Sequence, residues 1–477
     1  MSNLKKNAIS GVRWTSFSTI FTAVVQLLQI MILARYLPAT AFGKVAIVTV
    51  IVGFSQMFVD LGISKAIIHK RYVTEEQLST LYWLNVFTGI GLYLLVAWVA
   101  PTIASFYNDT SLTSLIRLTA ITLIIQSMGN QFFVLFEKEL RFDIVARIDM
   151  VAVAVGFVLS VVLAFYGYGV YALILPYIVT AGIKSISYIV KGLRYHRPDF
   201  YFNITDVGDF LRFGFYQMGS GFVGYLNSQM DILLIGKLLG QEALGIYSLS
   251  KQLVMRPAQI VNPVVTRVSF PVLAKVQDET GRLRQIYIRT IRTLSLINFP
   301  VYLFIAIMAE EIVSFFLGSE WAAAVIPVQV LSLFALVRST ANPVGTLVLA
   351  KGKPQYELFW NVAQIFLLPA TIWTGSRWGL EGVAWAMVLY MVLLIIPNWY
   401  FLVRKLSGAG FWEYHRAIVL PLLYAVVPAV SGYAIAQSIE HPAAKFITVA
   451  MVGAAIYGAM LWRFAPDFID TLKGLKK

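Results

Sequence analysis

Arg35-Tyr-Leu-Pro-Ala-Thr-Ala-Phe-Gly43 and Lys237-Leu-Leu-Gly-Gln-Glu-Ala-Leu-Gly245 are two versions of one short segment, 202 residues apart. Leu, Ala and Gly coincide in register. A basic residue opens each copy, and a turn former, Pro38 or Gly240, stands fourth. A match of this length is weak alone, but topology strengthens it. Each copy closes an apolar stretch long enough to cross a membrane, the first and the seventh of a series. Both stretches start on the same side, so the repeats are parallel and six spans apart, a plan used by membrane transporters.

The rest of the chain fits that frame. Of 477 residues, 58% are hydrophobic and only 13% charged, with a mean hydropathy of +0.74. This excludes an ordinary soluble protein and indicates an all-α integral membrane protein. About 14 spans are expected, near 12–35, 43–67, 80–100, 114–136, 145–166, 170–190, 210–236, 243–270, 290–309, 322–349, 357–375, 380–403, 417–437 and 443–463. Two six-helix lobes, 1–203 and 204–405, would surround a central cavity, with two additional helices in 406–477. The basic N-terminal stretch resembles a signal n-region. The apolar run after it is too long for an h-region and contains Gln26 and Gln29, so it reads as a retained first helix.

Charge orients the array. Only Arg35, Lys44, Arg117, Lys237, Arg377 and Lys445 fall on the side opposite the termini, and nearly all other Lys and Arg fall on the terminal side. The positive-inside rule then puts both termini in the cytoplasm. The net charge of +14 is thus a topology signal spread over alternate loops rather than a nucleic-acid surface. Cysteine is absent, which excludes disulfides, thiolate metal sites and a cysteine nucleophile, and the four histidines lack metal-ligand spacing.

Three cations escape this alternation: Lys251, Arg256 and Arg338 fall inside expected spans. Charge there commonly costs a few kcal/mol on insertion scales, which marks a functional candidate. Gln252, Arg256, Gln259 and Pro263 share one helical stripe, beside Lys251, Asn262 and Thr266. Pro257 and Pro263 free backbone carbonyls and can bend the helix toward a cavity. At the helical rise, Arg256 lies about 20 Å and Arg338 about 24 Å from the outer ends of their spans. Asn342 follows Arg338 one turn on. The functional reading is a cationic cavity for a phosphate-bearing substrate, with bidentate Arg contacts and a Lys point charge. The bland reading is pairing with Asp60 or Asp231, or snorkelling to the surface.

Asp60 is the deepest acid of the second span and a candidate site for coupling Na⁺ or H⁺; as a bland alternative it is a counter-ion. Gly219-Ser-Gly221-Phe-Val-Gly224 matches a dinucleotide fingerprint in letters only, because it lies within a span rather than after a strand. Asp143 and Arg147 are spaced as an i,i+4 pair. The basic, apolar-interleaved stretch Arg282 to Arg292 suits a helix lying on the inner leaflet before the ninth span. Neither a P-loop nor H-E-x-x-H is present.

Three segments carry a family resemblance: Ala34-Arg-Tyr-Leu-Pro with Phe42-Gly43, Phe58-Val-Asp-Leu-Gly-Ile-Ser64-Lys-Ala-Ile-Ile68, and Leu135-Phe-Glu-Lys-Glu-Leu-Arg-Phe142. Together they resemble the polysaccharide transporters of the multidrug/oligosaccharidyl-lipid/polysaccharide exporter superfamily, in particular Wzx-type flippases similar to the colanic acid exporter. The resemblance runs over essentially the whole chain. It implies a bacterial inner-membrane transporter, not an enzyme, that flips an undecaprenyl-diphosphate-linked oligosaccharide by alternating access with cation counter-transport. No strict motif of the family fixes the binding residues; from burial and charge, the diphosphate would meet Lys251, Arg256 and Arg338, and sugars would meet Gln252, Gln259, Asn262 and Asn342. Lys65, Arg212 and Arg267 would attract the headgroup at the cavity entrance. The partners expected are the lipid-linked oligosaccharide, membrane lipids, a polysaccharide polymerase and a chain-length regulator, with the chain itself a monomer. The rivals are a multidrug/cation antiporter, which should favour buried acids, and a membrane-embedded glycosyltransferase or polymerase, which would need a large catalytic loop.

Overall fold

The computed structural model describes residues 2–70, 72–341, 343–439, 441–466 and 468. Their regular structure is helical throughout. Two compact units divide the chain, Met1–Ser248 and Leu249–Lys477.

In the first unit run α1 (Ser2–Leu33), α2 (Ala39–Val59), α3 (Ile63–His69), α4 (Glu75–Phe106), α5 (Ser111–Lys138), α6 (Phe142–Phe165), α7 (Tyr171–Gly192) and α8 (Gly208–Leu238). Next comes α9 (Gly240–Lys275), whose first turns belong to this unit. The sequence Thr-Glu-Glu-Gln sets the start of α4. Thr74 Oγ1 accepts from the Gln77 amide and Gln77 Oε1 accepts from the Thr74 amide, each at 3.2 Å, while Glu75 and Glu76 favour the positive helix end. α1 packs on α6, α4 on α5, α5 on α7, and α2 on both α5 and α8.

The second expected span is not one helix. α2 stops at Asp60, Leu61 and Gly62 take left-handed φ values of 47° and 68°, and α3 restarts at Ile63. Gly62 tolerates that conformation and Leu61 is strained by it. α3 is then held by a buried apolar cluster of Ile63, Ala66 and Ile67 with Leu78 and Leu81 of α4, Val134 of α5 and Phe210 of α8.

The repeated segments meet each other. A Cβ built on Gly43 would lie 1.9 Å from the Gln241 carbonyl oxygen, and one on Gly245 would lie 1.8 Å from the Ala39 carbonyl oxygen. Each would also lie 3.1 Å from the other glycine's nitrogen. Gln241 is the repeat equivalent of Ala39, and Gly245 that of Gly43. The crossing is therefore isologous, with the same patch on both sides, and only glycine lets the backbones approach so closely. Beside it Lys44 pairs with Asp109 at 2.9 Å, and Gln241 Nε2 donates to Asp109 at 2.7 Å. This contact and the packing of α8 on α2 and α3 explain why compactness divides the chain after Ser248 rather than after residue 203.

The segment between α7 and α8 is bound to α4 rather than loose. The Asp199 amide donates to Ser79, the Asn203 amide to Thr80, Trp83 Nε1 to the Asp199 carbonyl and Gln77 Nε2 to the Asp206 carbonyl, all at 2.9–3.2 Å. His196 Nδ1 joins the Glu75 carboxylate.

The second unit holds the rest of α9, then α10 (Thr280–Ile307), α11 (Ala309–Phe316), α12 (Val325–Ala341), α13 (Pro343–Ala350), α14 (Pro354–Ser376), α15 (Gly379–Asn398), α16 (Arg404–Ser407), α17 (Phe411–Ala436) and α18 (Pro442–Phe464). α10 packs on α12 and α17, α12 on α15, and α17 on α18. Among the described residues, twelve helical stretches are long and apolar enough to cross a membrane. α8 and α9 reach 31 and 36 residues but are not among the twelve; α9 carries three internal prolines as well as its charges.

Two local expectations fail. Arg282 to Arg292 is not a separate surface helix but the opening of α10, and Tyr287 and Ile291 are fully buried against α13, α16 and α17. Burying those apolar faces inside the unit wins over laying them on lipid. Asp143 does not pair with Arg147. It faces Arg141 at 3.5 Å, while the Arg147 guanidinium sits over the Trp14 ring, 4.8 Å from its centroid. The aromatic face desolvates less of the cation than a buried ion pair would.

Candidate functional site

In the second unit, α9 presents its polar stripe. Arg256 is half-buried, and its Nε is enclosed with no hydrogen-bond partner. Gln252 and Gln259 are exposed, and Lys251 is half-buried and already engaged by another group. Asn262 is buried and bonded to Asn298 of α10, whose Nδ2 donates to it at 3.0 Å. Pro257, Pro263 and Pro271 interrupt the helix interior, which removes the amide partners of the carbonyls four residues earlier.

Arg338 projects from the last turn of α12 and is exposed, with its guanidinium 5.8 Å from the Phe334 ring centroid. It stands within electrostatic reach of Tyr302 of α10 and Tyr390 of α15. Both tyrosine hydroxyls are buried, and that of Tyr390 has no hydrogen-bond partner. The Tyr302 hydroxyl also lies beside the α9 backbone at Ala258, one half-turn from Arg256. Among the described residues, neither Arg256 nor Arg338 forms an ion pair within 4.0 Å. α9 and α12 therefore hold two guanidinium groups without ion-pair partners among the described residues, the chemistry that suits phosphate or carboxylate oxygens.

In the first unit, Asp60 has a defined local task. Its Oδ1 accepts from the Ser64 amide at 3.2 Å, from the Ser64 hydroxyl, and from Asn130 Nδ2 of α5 at 2.8 Å. The carboxylate so satisfies the Ser64 amide where α3 restarts. Asp231, an expected counter-ion, is buried and accepts from the Tyr247 hydroxyl at 2.7 Å. Arg212 is exposed near the start of α8. Asn342 lies outside the described residues, as do the side chains of Lys65 and Arg267.

Sequence reasoning missed Asn130, Asn298, Tyr302 and Tyr390. Asn298 was detectable as a lone amide in an apolar run. The tyrosines were not, since tyrosine is common at membrane interfaces and only packing shows that these hydroxyls are buried.

Residues 32–326 match the family model described as "Polysaccharide biosynthesis protein". The chain belongs to that family. It is 32% identical to the teichuronic acid biosynthesis protein TuaB of Bacillus subtilis, over 92% of this chain and 91% of that one. It is 29% identical to the lipopolysaccharide biosynthesis protein WzxC of Escherichia coli, over 91% and 88%. Among solved structures, the fold is similar to the lipid II flippase MurJ in an inward closed conformation, with a TM-score of 0.74 at 13% identity, covering 96% of this chain and all of that one. It is also similar to an inward-facing MATE family multidrug resistance transporter, with a TM-score of 0.61 at 15% identity, covering 84% of this chain and 95% of that one. This member of the family is thus a multi-pass membrane protein with a transporter fold.

Proposed function

We propose that the chain flips an undecaprenyl-diphosphate-linked oligosaccharide, an exopolysaccharide or O-antigen repeat unit, across the bacterial cytoplasmic membrane by alternating access. The observation that carries this reading is the pair of guanidinium groups, Arg256 on α9 and Arg338 on α12, without ion-pair partners among the described residues. A diphosphate supplies the missing acceptors, and Lys251 adds a further positive charge. Gln252, Gln259, Asn262 and Asn342 serve the sugars. Family membership and relatives named for polysaccharide synthesis support the substrate class, including one named as a succinoglycan biosynthesis transport protein. An excess of unpaired cations over acids disfavours a cationic drug as substrate.

Both termini lie in the cytoplasm, with Lys65, Arg212 and Arg267 at the cytoplasmic entrance. The chain acts as a monomer and hands its product to a polymerase and a chain-length regulator. Asp60 couples the cycle to a Na⁺ or H⁺ gradient.

In proteoliposomes, the wild-type chain should translocate a radiolabelled lipid-diphosphate oligosaccharide. Arg256→Ala/Arg338→Ala should insert and fold but lose that translocation. Normal flipping by the well-folded double variant would overturn the proposal.

A further inference from the structure

We infer that Lys184 of α7 is a contact for a phosphate-bearing headgroup in the first unit, masked by Asp149 of α6 until that headgroup takes the carboxylate's place. The inference rests on the diphosphate reading above and adds to it an anion contact on a helix that reading does not use.

Asp149 follows Phe142, the start of α6, by seven residues, and Lys184 precedes Gly192, the end of α7, by eight. Both helices are long and apolar enough to cross a membrane. At the helical rise each charge lies about 10–12 Å inside its helix end. Lys184 Nζ reaches Asp149 Oδ1 at 2.8 Å, and the buried Tyr188 hydroxyl donates to the same oxygen at 3.2 Å. A charged pair at that depth is expensive, and apolar residues would join two helices at least as well. The α6–α7 seam is also closed by other means: Thr180 Oγ1 donates to the Ala152 carbonyl at 3.3 Å, and a Cβ on Gly156 would strike Thr180 Oγ1. Stability therefore gives little reason for the pair.

Both side chains face away from lipid. Val151, Val155, Val158 and Val162 form the exposed apolar face of α6, and Asp149 lies on its far side. Ile186 and Val190 form that face of α7, and Lys184 lies on the far side, on the stripe of Tyr177. Yet neither charge is enclosed, since the side chains of Lys184 and Asp149 are 34% and 28% exposed. Exposure on a face turned from lipid opens on interior space, where intramembrane charges belong. Tyr177, two turns earlier on that stripe, is exposed as well, and its hydroxyl accepts from Gln56 Nε2 of α2 at 3.0 Å. Arg147 is no rival partner for Asp149, because it rests on Trp14. A phosphate group offers the Lys184 ammonium the same charge as the carboxylate and more oxygens. Asp149 keeps the Tyr188 hydroxyl when it lets the ammonium go. The carboxylate thus competes with the ligand, so neutralising one member of the pair has the opposite effect to neutralising the other.

The test uses the full-length chain in detergent, with a short-chain prenyl diphosphate, the free prenol and phosphatidylglycerol as probes. Lys184→Gln should weaken diphosphate binding about tenfold, the usual scale for one hydrogen bond to a charged group. Lys184→Arg keeps the charge and should keep the binding. Asp149→Asn removes the competitor, retains an acceptor for Tyr188, and should tighten binding by a similar factor. Prenol binding should not change in any of them. The opposed shifts should persist, on a weaker baseline, in the Arg256→Ala/Arg338→Ala background. If Lys184→Gln does not fold, the sign of the Asp149→Asn shift decides alone. Shifts of the same sign, or a lowered Tm in both variants with unchanged affinity, would make the pair a structural staple and overturn the inference; weakened binding by Arg256→Ala/Arg338→Ala would still leave the diphosphate reading intact. Loss of the Lys184-dependent binding to an equal concentration of phosphatidylglycerol would assign the contact to bulk lipid and overturn it equally. If the wild type shows no preference for diphosphate over prenol, the underlying reading fails, and this inference with it.

Discussion

The crossing of Gly43 and Gly245 gives the sharpest quantitative expectation. A Cβ on Gly43 would stand 1.9 Å from a backbone oxygen, where ordinary contact begins near 3.4 Å. Backbone cannot swing aside as a long side chain can, so Gly43→Ala must part α2 from the start of α9 by about 1.5 Å at that point. Overpacking on this scale costs about 1–3 kcal/mol. Gly245→Ala faces 1.8 Å against Ala39 and should cost a similar amount. The two are not independent, because each Cβ would also sit 3.1 Å from the other glycine's nitrogen. Once one substitution has opened the crossing, the second enters space already made. The double variant should therefore be destabilised clearly less than the sum of the singles, a coupling on the order of 1 kcal/mol. Thermal unfolding of the purified chain in one detergent, across the four-member cycle, measures it. Strict additivity, or a Gly43→Ala variant as stable as the wild type, would refute a backbone-to-backbone crossing.

Asp60→Ala should destabilise the chain by about 1–2 kcal/mol through loss of the cap on α3, whereas Asp60→Asn keeps an acceptor and should cost less, as read by thermal unfolding. If Asp60 couples the cycle, both variants should flip substrate without responding to an imposed Na⁺ or H⁺ gradient; a surviving gradient response in Asp60→Asn would remove Asp60 from that role. Burial alone would raise the Asp109 carboxyl, but hydrogen bonds from Ser111, Gln241 and Lys44 outweigh it and hold the group well below its usual range. Its contribution to stability is then fully present above the ordinary carboxylate pKa of about 3.9 and lost as pH falls below that. Asp109→Asn should flatten this part of an acid unfolding curve. Thr74→Ala should cost about 1 kcal/mol by removing the α4 cap, and hydrogen exchange at the α4 start should rise with it.

The helical array was readable because each span must bury its own backbone bonds in lipid, and this writes long apolar runs into the sequence. The expected seventh and eighth spans fall on α8 and α9, long helices that are not among the twelve. Breaks within spans were harder to see. The α2–α3 interruption depends on two left-handed residues, and Leu61 gives no sign of adopting such a conformation. The basic start of α10 misled for a related reason, since Tyr287 and Ile291 look the same whether they meet lipid or protein. For the candidate site, charge inside an expected span is the signal that singles out Arg256 and Arg338. Their neutral neighbours carry no such cost until burial is known, so Asn298, Tyr302 and Tyr390 waited for the packing.

The self-complementary crossing also bears on how such a chain changes over generations. If the halves were separate copies paired about a two-fold axis, any substitution at this glycine would strike both faces of the contact at once. Joined in one chain, Gly43 and Gly245 answer to different codons. A lineage can then trial a larger residue on one face while the other keeps its clearance. One face is free to drift only while its opposite number remains small.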